Sequence, residues 1–457
     1  MTGVPATPGG GSAHSLSRRS FLRGLTAAAG LTLGGAALSA CSTPVVSGLG
    51  VSRKAAGSLD YWNLFGGGDG VRMETMEAAF EKANPSIALS AVTLAWGNPY
   101  YTKLSLATLG EKPPGVAVSH LTRMKNLVAA DLLEELRAED LARYGMTPDK
   151  FSQRPWEAGL VDGKVYAIPL DTHPFVMFYN TDLCKKAGLL DSDGKLKPMD
   201  SPDAFKAALA KGKQASGKYG AVVAVTNEPA TPWRTFWSFY SQLGGEFLAD
   251  KGAKVTIDDA KAMQVLTFLQ SLGKEGLIPA IADYQGTIAT FASGGSAFYF
   301  QGEWEITTFQ TAKLPFSMTL FPNVFGGSRY AVQADSHTLV IPKQADRSPA
   351  VVERGLTFIR SMLDQSKTWA EGGHVPAWKP FLDSEDYKKM TPQSQYAAAA
   401  DAAAYDPEAW YSGSGSNLEI ISGSSIGAMV MGQLTPQAAL DQMHTKLDVL
   451  AATKSPI

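Results

Sequence analysis

The sequence predicts an α/β chain that folds into two domains. Strand-type and helix-type segments alternate along it, for example at residues 59–65 and 71–83. About 400 residues follow a leader-like first stretch, which is more than one hydrophobic core usually supports. In addition, residues 162–183 contain two apolar runs that meet at a short polar break. Together these observations favour two domains over one.

Residues 162–183 read D-G-K-V-Y-A-I-P-L-D-T-H-P-F-V-M-F-Y-N-T-D-L. Both apolar runs, 165–170 and 175–179, are rich in β-formers and of strand length, and prolines stand at the edges of the break. The residues alone leave two interpretations open, a β-meander with a polar turn or a crossover between two domains. In a crossover, the polar side chains of Asp171 and His173 would be presented where the domains meet.

This stretch, with K-A-G-L at residues 186–189, resembles the first hinge of the family 1 extracellular solute-binding proteins, the carbohydrate-binding components of ABC importers. Residues 332–342 look like the return crossover. The resemblance favours the crossover interpretation and implies a type II periplasmic-binding-protein fold with two discontinuous domains and a central cleft. The expected boundaries are 58–170 plus 337–383 for lobe 1 and 171–336 plus 384–457 for lobe 2.

The first forty residues predict an export signal. S-R-R-S-F-L-R at 17–23 fits a twin-arginine signal, an uncharged run follows at 25–40, and L-S-A-C at 38–41 resembles a lipobox. A transmembrane anchor is the alternative, but the run falls short of the ~20 strongly apolar residues that span a bilayer. We therefore expect twin-arginine export, a lipid on Cys41, a flexible tether over 41–57 and attachment to the extracytoplasmic face of the cell membrane.

Composition narrows the classes of partner. The chain has 41 basic and 43 acidic residues, and removal of the three leader arginines leaves a net charge of about −5. No basic stripe predicts nucleic-acid binding, and no second apolar run could span a membrane. Besides Cys41 the chain has one cysteine, Cys184, so we expect no intramolecular disulfide and a buried thiol.

In the first segment of the predicted lobe 1, residues 58–170, four residues are candidates for ligand binding. The glycine-rich segment 66–70 lacks the Lys-Ser/Thr of a phosphate-binding loop, which argues against nucleotide binding. The resemblance instead places this segment on the cleft, where Asp69 could accept hydrogen bonds from sugar hydroxyls. It also places the end of the strand near residue 116 at the ligand, which selects Ser119, His120 and Arg123. The aromatic residue typical of that strand end is missing here.

The resemblance implies further ligand contacts at three later segments. It places sugar-contacting residues in the loop that enters the helix near residue 233, so Trp233 and Arg234 are candidates and Trp237 is assigned to the core. In the G-x-W block at 302–304, the indole of Trp304 could provide an apolar plate for a sugar ring. The remaining candidates are Glu303, in the same block, and His374 and Trp378 near a G-x-x-P-A-like segment.

Several kinds of chemistry lack a sequence signal. The six histidines show no metal-ligand spacing, and no Gly-x-Ser-x-Gly elbow, H-E-x-x-H motif or cysteine cluster occurs, so we expect no metal, no cofactor and no enzymatic activity. The two catalytic carboxylates of a glycosidase are recognised by their distance in space, so spacing along the sequence does not exclude them. A surface-anchored glycoside-active enzyme is therefore the alternative, and a structural surface lipoprotein is a third class. The resemblance implies a monomer that captures a sugar or oligosaccharide and delivers it to the ABC permease.

Overall fold

The structure of the protein is a computed structural model that describes residues 57–327, 329–344 and 348–455. The predicted export signal, Cys41 and nearly all of the predicted tether lie outside these ranges. Within them, no helix is both long enough and apolar enough to cross a bilayer.

The strands are short, except for one of ten residues. They are β1 Ser58–Asn63, β2 Ala88–Thr93, β3 Val116–His120, β4 Leu160–Val161, β5 Lys164–Val165, β6 Ile168–Pro169, β7 Asp171–Asn180, β8 Tyr219–Val222, β9 Leu248–Ala249, β10 Lys254–Val255, β11 Ser296–Gly302, β12 Phe316–Leu320, β13 Val332–Asp335, β14 His337–Val340, β15 Val375–Pro376 and β16 Ala403–Ala404.

Helices separate most of the longer strands. They are α1 Gly67–Ala83, α2 Asn98–Leu109, α3 Leu121–Ala129, α4 Ala138–Arg143, α5 Gln153–Ala158, α6 Thr181–Lys186, α7 Pro202–Ser216, α8 Ala230–Gln242, α9 Asp259–Lys274, α10 Tyr284–Ala292, α11 Ile306–Thr311, α12 Pro349–Asp364, α13 Ser366–Glu371, α14 Lys379–Leu382, α15 Glu385–Lys389, α16 Asn417–Val430 and α17 Pro436–Ala451.

Two sheets carry the fold. The first has the order β2-β1-β3-β14-β6, in which β1 is parallel to β2 and β3, and β14 is antiparallel to β3 and β6. The second has the order β16-β13-β7-β11-β8, and β12 and β15 also pair with β7. We call the elements packed around the first sheet lobe 1 and those packed around the second sheet lobe 2.

The chain passes between the sheets three times, and the first two crossings are adjacent. It leaves the first sheet between β6 and β7, returns between β13 and β14, and reaches the second sheet again at β15. The Ser336 hydroxyl donates to the Asp171 carbonyl oxygen at 2.5 Å, and the Leu170 N–H donates to the His337 carbonyl oxygen at 2.8 Å. The first two crossings therefore lie side by side. Because β6 and β7 belong to different sheets, residues 162–183 do not form a β-meander.

The polar break does not interrupt the strand. Residues 171–174, expected to separate two strands, form the first part of β7, where Thr172 pairs with Val375 of β15 and His173 pairs with Asp335 of β13. These neighbouring strands supply backbone partners, so the polar segment stays extended. The preceding run, 165–170, was expected as one strand and instead contains parts of β5 and β6.

Both faces of the second sheet are buried. Phe175, Met177 and Tyr179 pack into a core shared with α7, α8 and α9, whereas Val176 and Phe178 pack on the opposite side against α10 and α11. Successive side chains of a strand point to opposite faces, so a strand between two cores must be apolar throughout. This explains the continuous apolar run in the sequence.

Three local features concern two helix starts and the second cysteine. The Ser201 side chain accepts a hydrogen bond from the Ala204 N–H at 3.2 Å, which caps the start of α7. Cys184 is buried as predicted, and burial raises the pKa of its thiol to about 12. The segment 66–70 is not a loop as expected, because α1 begins at Gly67, and Asp69 therefore lies in the first helical turn.

Candidate functional site

A cavity with a volume of about 540 Å³ lies between the lobes, within the ~300–1,000 Å³ usual for small-molecule sites. Residues of both lobes line it. Lobe 1 contributes Leu64, Phe65, Gly66, Gly67, Gly68, Asp69, Trp96, His120 and His337. Lobe 2 contributes His173, Glu228, Arg234, Tyr284, Gln285, Ile288, Trp304, Glu305 and Thr308.

Many of these residues stand where strands end or helices begin. His120 is the last residue of β3, Asp69 lies in the first turn of α1, and Trp304 follows shortly after the last residue of β11. In open α/β sheets, ligands bind in the crevice outside the carboxyl ends of the strands. The cavity combines carboxylates, an arginine and indole rings, which suits a polar molecule that also has an apolar face.

The indole of Trp304 is held firmly at the cavity wall. Its Nε1–H donates to the hydroxyl of Tyr284 at 2.8 Å, and that hydroxyl donates in turn to Glu305 Oε1. A Cβ atom at Gly302 would overlap the indole ring, so this ring position requires glycine there. Trp304 is only half-buried, and its ring forms part of the cavity lining.

A second indole faces the same arginine. The guanidinium carbon of Arg234 lies 5.1 Å from the ring centroid of Trp304 and 5.9 Å from that of Trp96. These distances permit cation–π attraction. Arg234 Nη2 also lies 3.5 Å from Glu419 Oε1, which fixes the cation from the side of α16. Trp96 is 41% exposed, although large apolar side chains are usually covered.

Below the cavity, the carboxylate of Asp171 is fully buried and collects several donors. The His337 N–H and the Trp369 Nε1–H donate to it at 2.8 and 2.7 Å, and the Nδ1 atoms of His337 and His173 lie 2.8 and 3.3 Å away. Burial raises the pKa of Asp171, but His337 and the hydrogen bonds from the surrounding histidines outweigh it. The pKa therefore lies well below the usual range.

His374 connects three carboxylates in the same buried region. Its Nε2 lies 3.0 Å from Asp69 Oδ1, and its Nδ1 lies 2.9 Å from Glu303 Oε1 and 3.2 Å from Asp171 Oδ2. Burial lowers the pKa of His374, but the Asp69 and Asp171 carboxylates outweigh this effect and hold the pKa well above its usual value. Burial raises the pKa of Glu303 to about 7, with His374 opposing the rise.

Three more imidazoles converge at the cavity wall. The ring centroids of His120, His173 and His337 are 5.5 Å (120 to 173), 5.0 Å (120 to 337) and 4.1 Å (173 to 337) apart. Burial lowers the pKa of His173 to about 3 and that of His120 well below its usual value, with His337 as the next cause for both. Among the described residues, this trio and the group Asp171, His337 and His374 have ligand atoms close enough to hold a metal ion.

Residues 75–393 match the family of bacterial extracellular solute-binding proteins. The chain belongs to this family. Members of the family are solute-binding proteins, so the match confirms the predicted relationship and the prediction that the protein is not an enzyme. The alternative of a glycoside-active enzyme is not supported.

Two relatives of this solute-binding protein bind oligosaccharides according to their names. The maltooligosaccharide ABC transporter solute-binding lipoprotein of Streptococcus pneumoniae serotype 4 is 25% identical over 326 residues, which cover 67% of this chain and 69% of that relative. The arabinooligosaccharide-binding protein of Bacillus subtilis is 26% identical over 382 residues, which cover 78% of this chain and 82% of that relative.

Solved structures show the same fold. Maltose-bound MalE3 of T. maritima superposes with a TM-score of 0.72 at 19% identity, covering 86% of this chain and 99% of that one. An ABC substrate-binding protein of Listeria monocytogenes in complex with cycloalternan gives 0.71 at 20% identity, covering 87% and 99%. These similarities confirm the predicted two-lobed α/β fold of the solute-binding protein.

Eight of the twelve candidate ligand-binding residues of this solute-binding protein lie at or directly below the cavity. Those that line it are Asp69, His120, His173, Arg234 and Trp304. Three more lie in the buried layer below: Asp171, Glu303 and His374. His374 contacts the carboxylates of Asp171, Glu303 and Asp69.

Two lobe 1 candidates do not line the cavity. Ser119 precedes His120 in β3 and is fully buried, so strand alternation directs its side chain away from the side that His120 faces. The guanidinium of Arg123 contacts Asn98 Oδ1 at 3.3 Å and the Ser414 carbonyl oxygen at 3.4 Å. It therefore joins the lobes outside the cavity.

Two tryptophans, expected at the ligand, are instead core residues. Trp233 is fully buried, donates from Nε1 to Asp406 Oδ1 at 2.9 Å and stacks on Trp237 at 5.2 Å. Trp378 is 5% exposed and packs in lobe 1 with its ring 5.1 Å from that of Phe151. Both indoles lie on the core side of their segments, which corrects their expected placement in the cleft.

The sequence analysis missed several residues that line the cavity. Trp96 follows β2, and its position shortly after a strand end is a signal that could have identified it. Glu305 directly follows the G-x-W block and could have been selected with it, whereas Glu228 and Tyr284 lie in segments without a distinctive local pattern. His337 lies in the expected return crossover but was not selected. Its sequence neighbours give no sign that its ring packs against that of His173 on β7.

Proposed function

We propose that this solute-binding protein captures an oligosaccharide in the cavity between its lobes and delivers it to the membrane subunits of an ABC importer. The observation that carries the proposal is the fixed, half-buried indole of Trp304 at a cavity lined by carboxylates and an arginine. A sugar ring has an apolar C–H face and a rim of hydroxyls, and this lining matches both. The oligosaccharide ligands named for the two relatives support the same substrate class.

In the proposed binding mode, Trp304 and Trp96 contact the apolar faces of sugar rings. Asp69, Glu228 and Glu305 accept hydrogen bonds from hydroxyl groups, and Arg234, held between the indoles, donates to sugar oxygens. Because these residues come from both lobes, a bound sugar would connect the lobes. It would favour the closed arrangement by its difference in affinity for the closed and open states.

Contacts between the lobes indicate which surfaces would separate on opening. Arg72 Nη2 of α1 donates to the Thr307 hydroxyl of α11 at 3.4 Å. Lys125 of α3 forms an ion pair with Glu408 at 2.8 Å. The Lys125–Glu408 pair is exposed, and such pairs contribute ~0–1 kcal/mol, so it offers little resistance to opening without ligand.

The proposed lobe boundaries are those that the sequence predicts, 58–170 plus 337–383 and 171–336 plus 384–457. The strand partition supports the boundaries near 170 and 336, because β6 and β7 lie in different sheets and so do β13 and β14. It does not support the boundary at 383, because β15 already pairs with β7 of the second sheet. We propose that the two crossovers at Asp171–Pro174 and Asp335–Thr338 are the hinges. The closed form of a monomer would then be the state that the permease recognises.

Oligosaccharide binding should appear as saturable heat in calorimetric titration with maltooligosaccharides or arabinooligosaccharides, without release of shorter products. Small-angle scattering should report a smaller radius of gyration at saturation, because closure moves the lobes together. A monosaccharide that produces no heat provides the control for scattering. Absence of binding to every member of both series would contradict the substrate class, and an unchanged radius at saturation would contradict hinge closure.

We further propose that the protein is exported by the twin-arginine route and is lipid-anchored at Cys41 on the extracytoplasmic side. The lipobox-like L-S-A-C at 38–41 supports this proposal, and so does the word lipoprotein in the name of the pneumococcal relative.

Replacing Cys41 by alanine should move the protein from the membrane fraction to the soluble fraction, because the acylated thiol is the proposed anchor. The matched control is Cys184→Ala, which removes the chain's other cysteine from a buried position and should leave the protein with the membrane. Fractionation followed by immunoblotting measures both variants. Retention of the Cys41→Ala variant in membranes would show that another segment provides the anchor.

A further inference from the structure

The convergence of His120, His173 and His337 is a feature that sugar binding does not explain. The three imidazoles come from the end of β3, from β7 and from the start of β14, and all three line the cavity. They can each offer one ring nitrogen such that the three nitrogens lie within 4.8 Å of one another. Three imidazoles that converge on one place offer ring nitrogens rather than the carboxylate and amide groups that typically bind hydroxyls.

The hydrogen bonds of the trio determine which nitrogen is available. The Nδ1 of His120 is 2.8 Å from the Tyr101 hydroxyl, that of His173 is 3.3 Å from Asp171 Oδ1, and that of His337 is 2.8 Å from Asp171 Oδ2. Each Nδ1 therefore has an oxygen partner, which leaves each Nε2 for the cavity. Histidines that bind metals usually have this arrangement, in which the second ring nitrogen donates to an oxygen that fixes ring orientation and tautomer.

We propose that His120, His173 and His337 bind one divalent transition metal ion of the zinc class through their Nε2 atoms. Three imidazoles with a fourth position left open are a known arrangement for zinc. Imidazole favours zinc, copper, nickel and cobalt over calcium and magnesium, which prefer oxygen ligands. The open position faces the cavity, where an oxygen of water or of the captured solute would complete the coordination.

The distances leave a small adjustment for binding. In a tetrahedral site, zinc–nitrogen bonds of ~2.0–2.1 Å separate two ligand nitrogens by about 3.4 Å. One ring nitrogen of each imidazole lies within 4.8 Å of the other two, so each pair has to close by at most about 1.4 Å, a movement shared between two side chains. His173 contacts Oδ1 of Asp171 and His337 contacts Oδ2. Because the two rings do not share an oxygen, each ring can rotate while keeping its own contact.

Metal titration of the untagged, chelator-treated protein tests the proposal without any sugar. We expect saturable binding of one Zn²⁺ per chain in calorimetry, no comparable heat with Ca²⁺ or Mg²⁺, and, with Co²⁺, d–d bands much more intense than those of the hydrated ion. Intense bands report a near-tetrahedral site in the unmodified protein, so this measurement does not depend on how a variant folds. Absence of both stoichiometric Zn²⁺ binding and the Co²⁺ bands would overturn the proposal, and it would leave oligosaccharide binding as a separate question.

Variants then locate the site. His173→Ala and His337→Ala should each weaken Zn²⁺ binding by more than the ~10–100-fold that the loss of an outer hydrogen-bond partner costs. Tyr101→Phe, which removes the partner of His120 Nδ1 and leaves all three ligands in place, should weaken it within that range. His444→Ala is the matched control, because this histidine lies on α17 and pairs with Asp259. Equal Zn²⁺ affinity in the His173 and His444 variants would overturn the assignment.

Discussion

Replacing Trp304 by alanine is expected to weaken oligosaccharide binding by about 30–150-fold. The substitution removes an apolar plate worth ~25 cal/mol per Å² of buried area, and ring-specific contacts contribute about 0.5–1.5 kcal/mol more. The expected loss of binding free energy is therefore about 2–3 kcal/mol. Because the indole is half-buried and faces the cavity, the stability of the protein without ligand should change little. Calorimetric titration beside a melting curve measures both quantities.

Trp233→Ala is the matched control for that experiment. This tryptophan is fully buried, so its truncation should lower the free energy of unfolding by about 3–5 kcal/mol. It should also leave Asp406 Oδ1 without the indole donor. The two indoles thus predict opposite outcomes, weaker binding for one and lower stability for the other. Normal binding by the Trp304→Ala variant, or early melting of that variant without ligand, would remove Trp304 from the proposed site.

Replacing Asp171 by alanine should lower the free energy of unfolding by about 3–5 kcal/mol, the range for breaking a buried charge pair. The carboxylate is fully buried, and its removal would leave the Trp369 Nε1–H and the His337 N–H without an acceptor. It would also remove a carboxylate that lies 3.2 Å from His374 Nδ1, leaving the imidazolium with less compensation. Urea unfolding followed by circular dichroism measures the change.

Two further variants test whether the burial of Asp171 causes the large loss of unfolding free energy. Asp171→Asn keeps one acceptor oxygen and the side-chain volume, so its loss should be smaller than that of the alanine variant. Asp364→Ala removes a carboxylate from an exposed i,i+4 pair with Arg360 and should cost about 1 kcal/mol or less. A similar small loss for Asp171→Ala would contradict the role assigned to this buried carboxylate.

The sequence was informative wherever neighbours along the chain carry the signal. The apolar run at 175–179 indicated a strand, and Ser201 before Pro202 is typical of a helix start, as at α7. Both depend on interactions within a few residues, namely strand alternation and a side chain that caps the helix it precedes. The polar break at 171–174 was located correctly but was assigned the wrong conformation, because its backbone partners in β13 and β15 come from more than 150 positions later.

The sequence by itself determined the family and the two-lobed α/β class, and two thirds of its twelve candidate residues lie at or below the cavity. Only the tertiary structure decided that Trp304 faces the cavity while Trp233 faces the core, because both stand near helix starts and local pattern does not separate them. It also decided that His120, His173 and His337 meet. The three histidines are far apart along the chain, so no local pattern predicts their contact. The register of β3, β7 and β14 at the two adjacent crossovers brings them together.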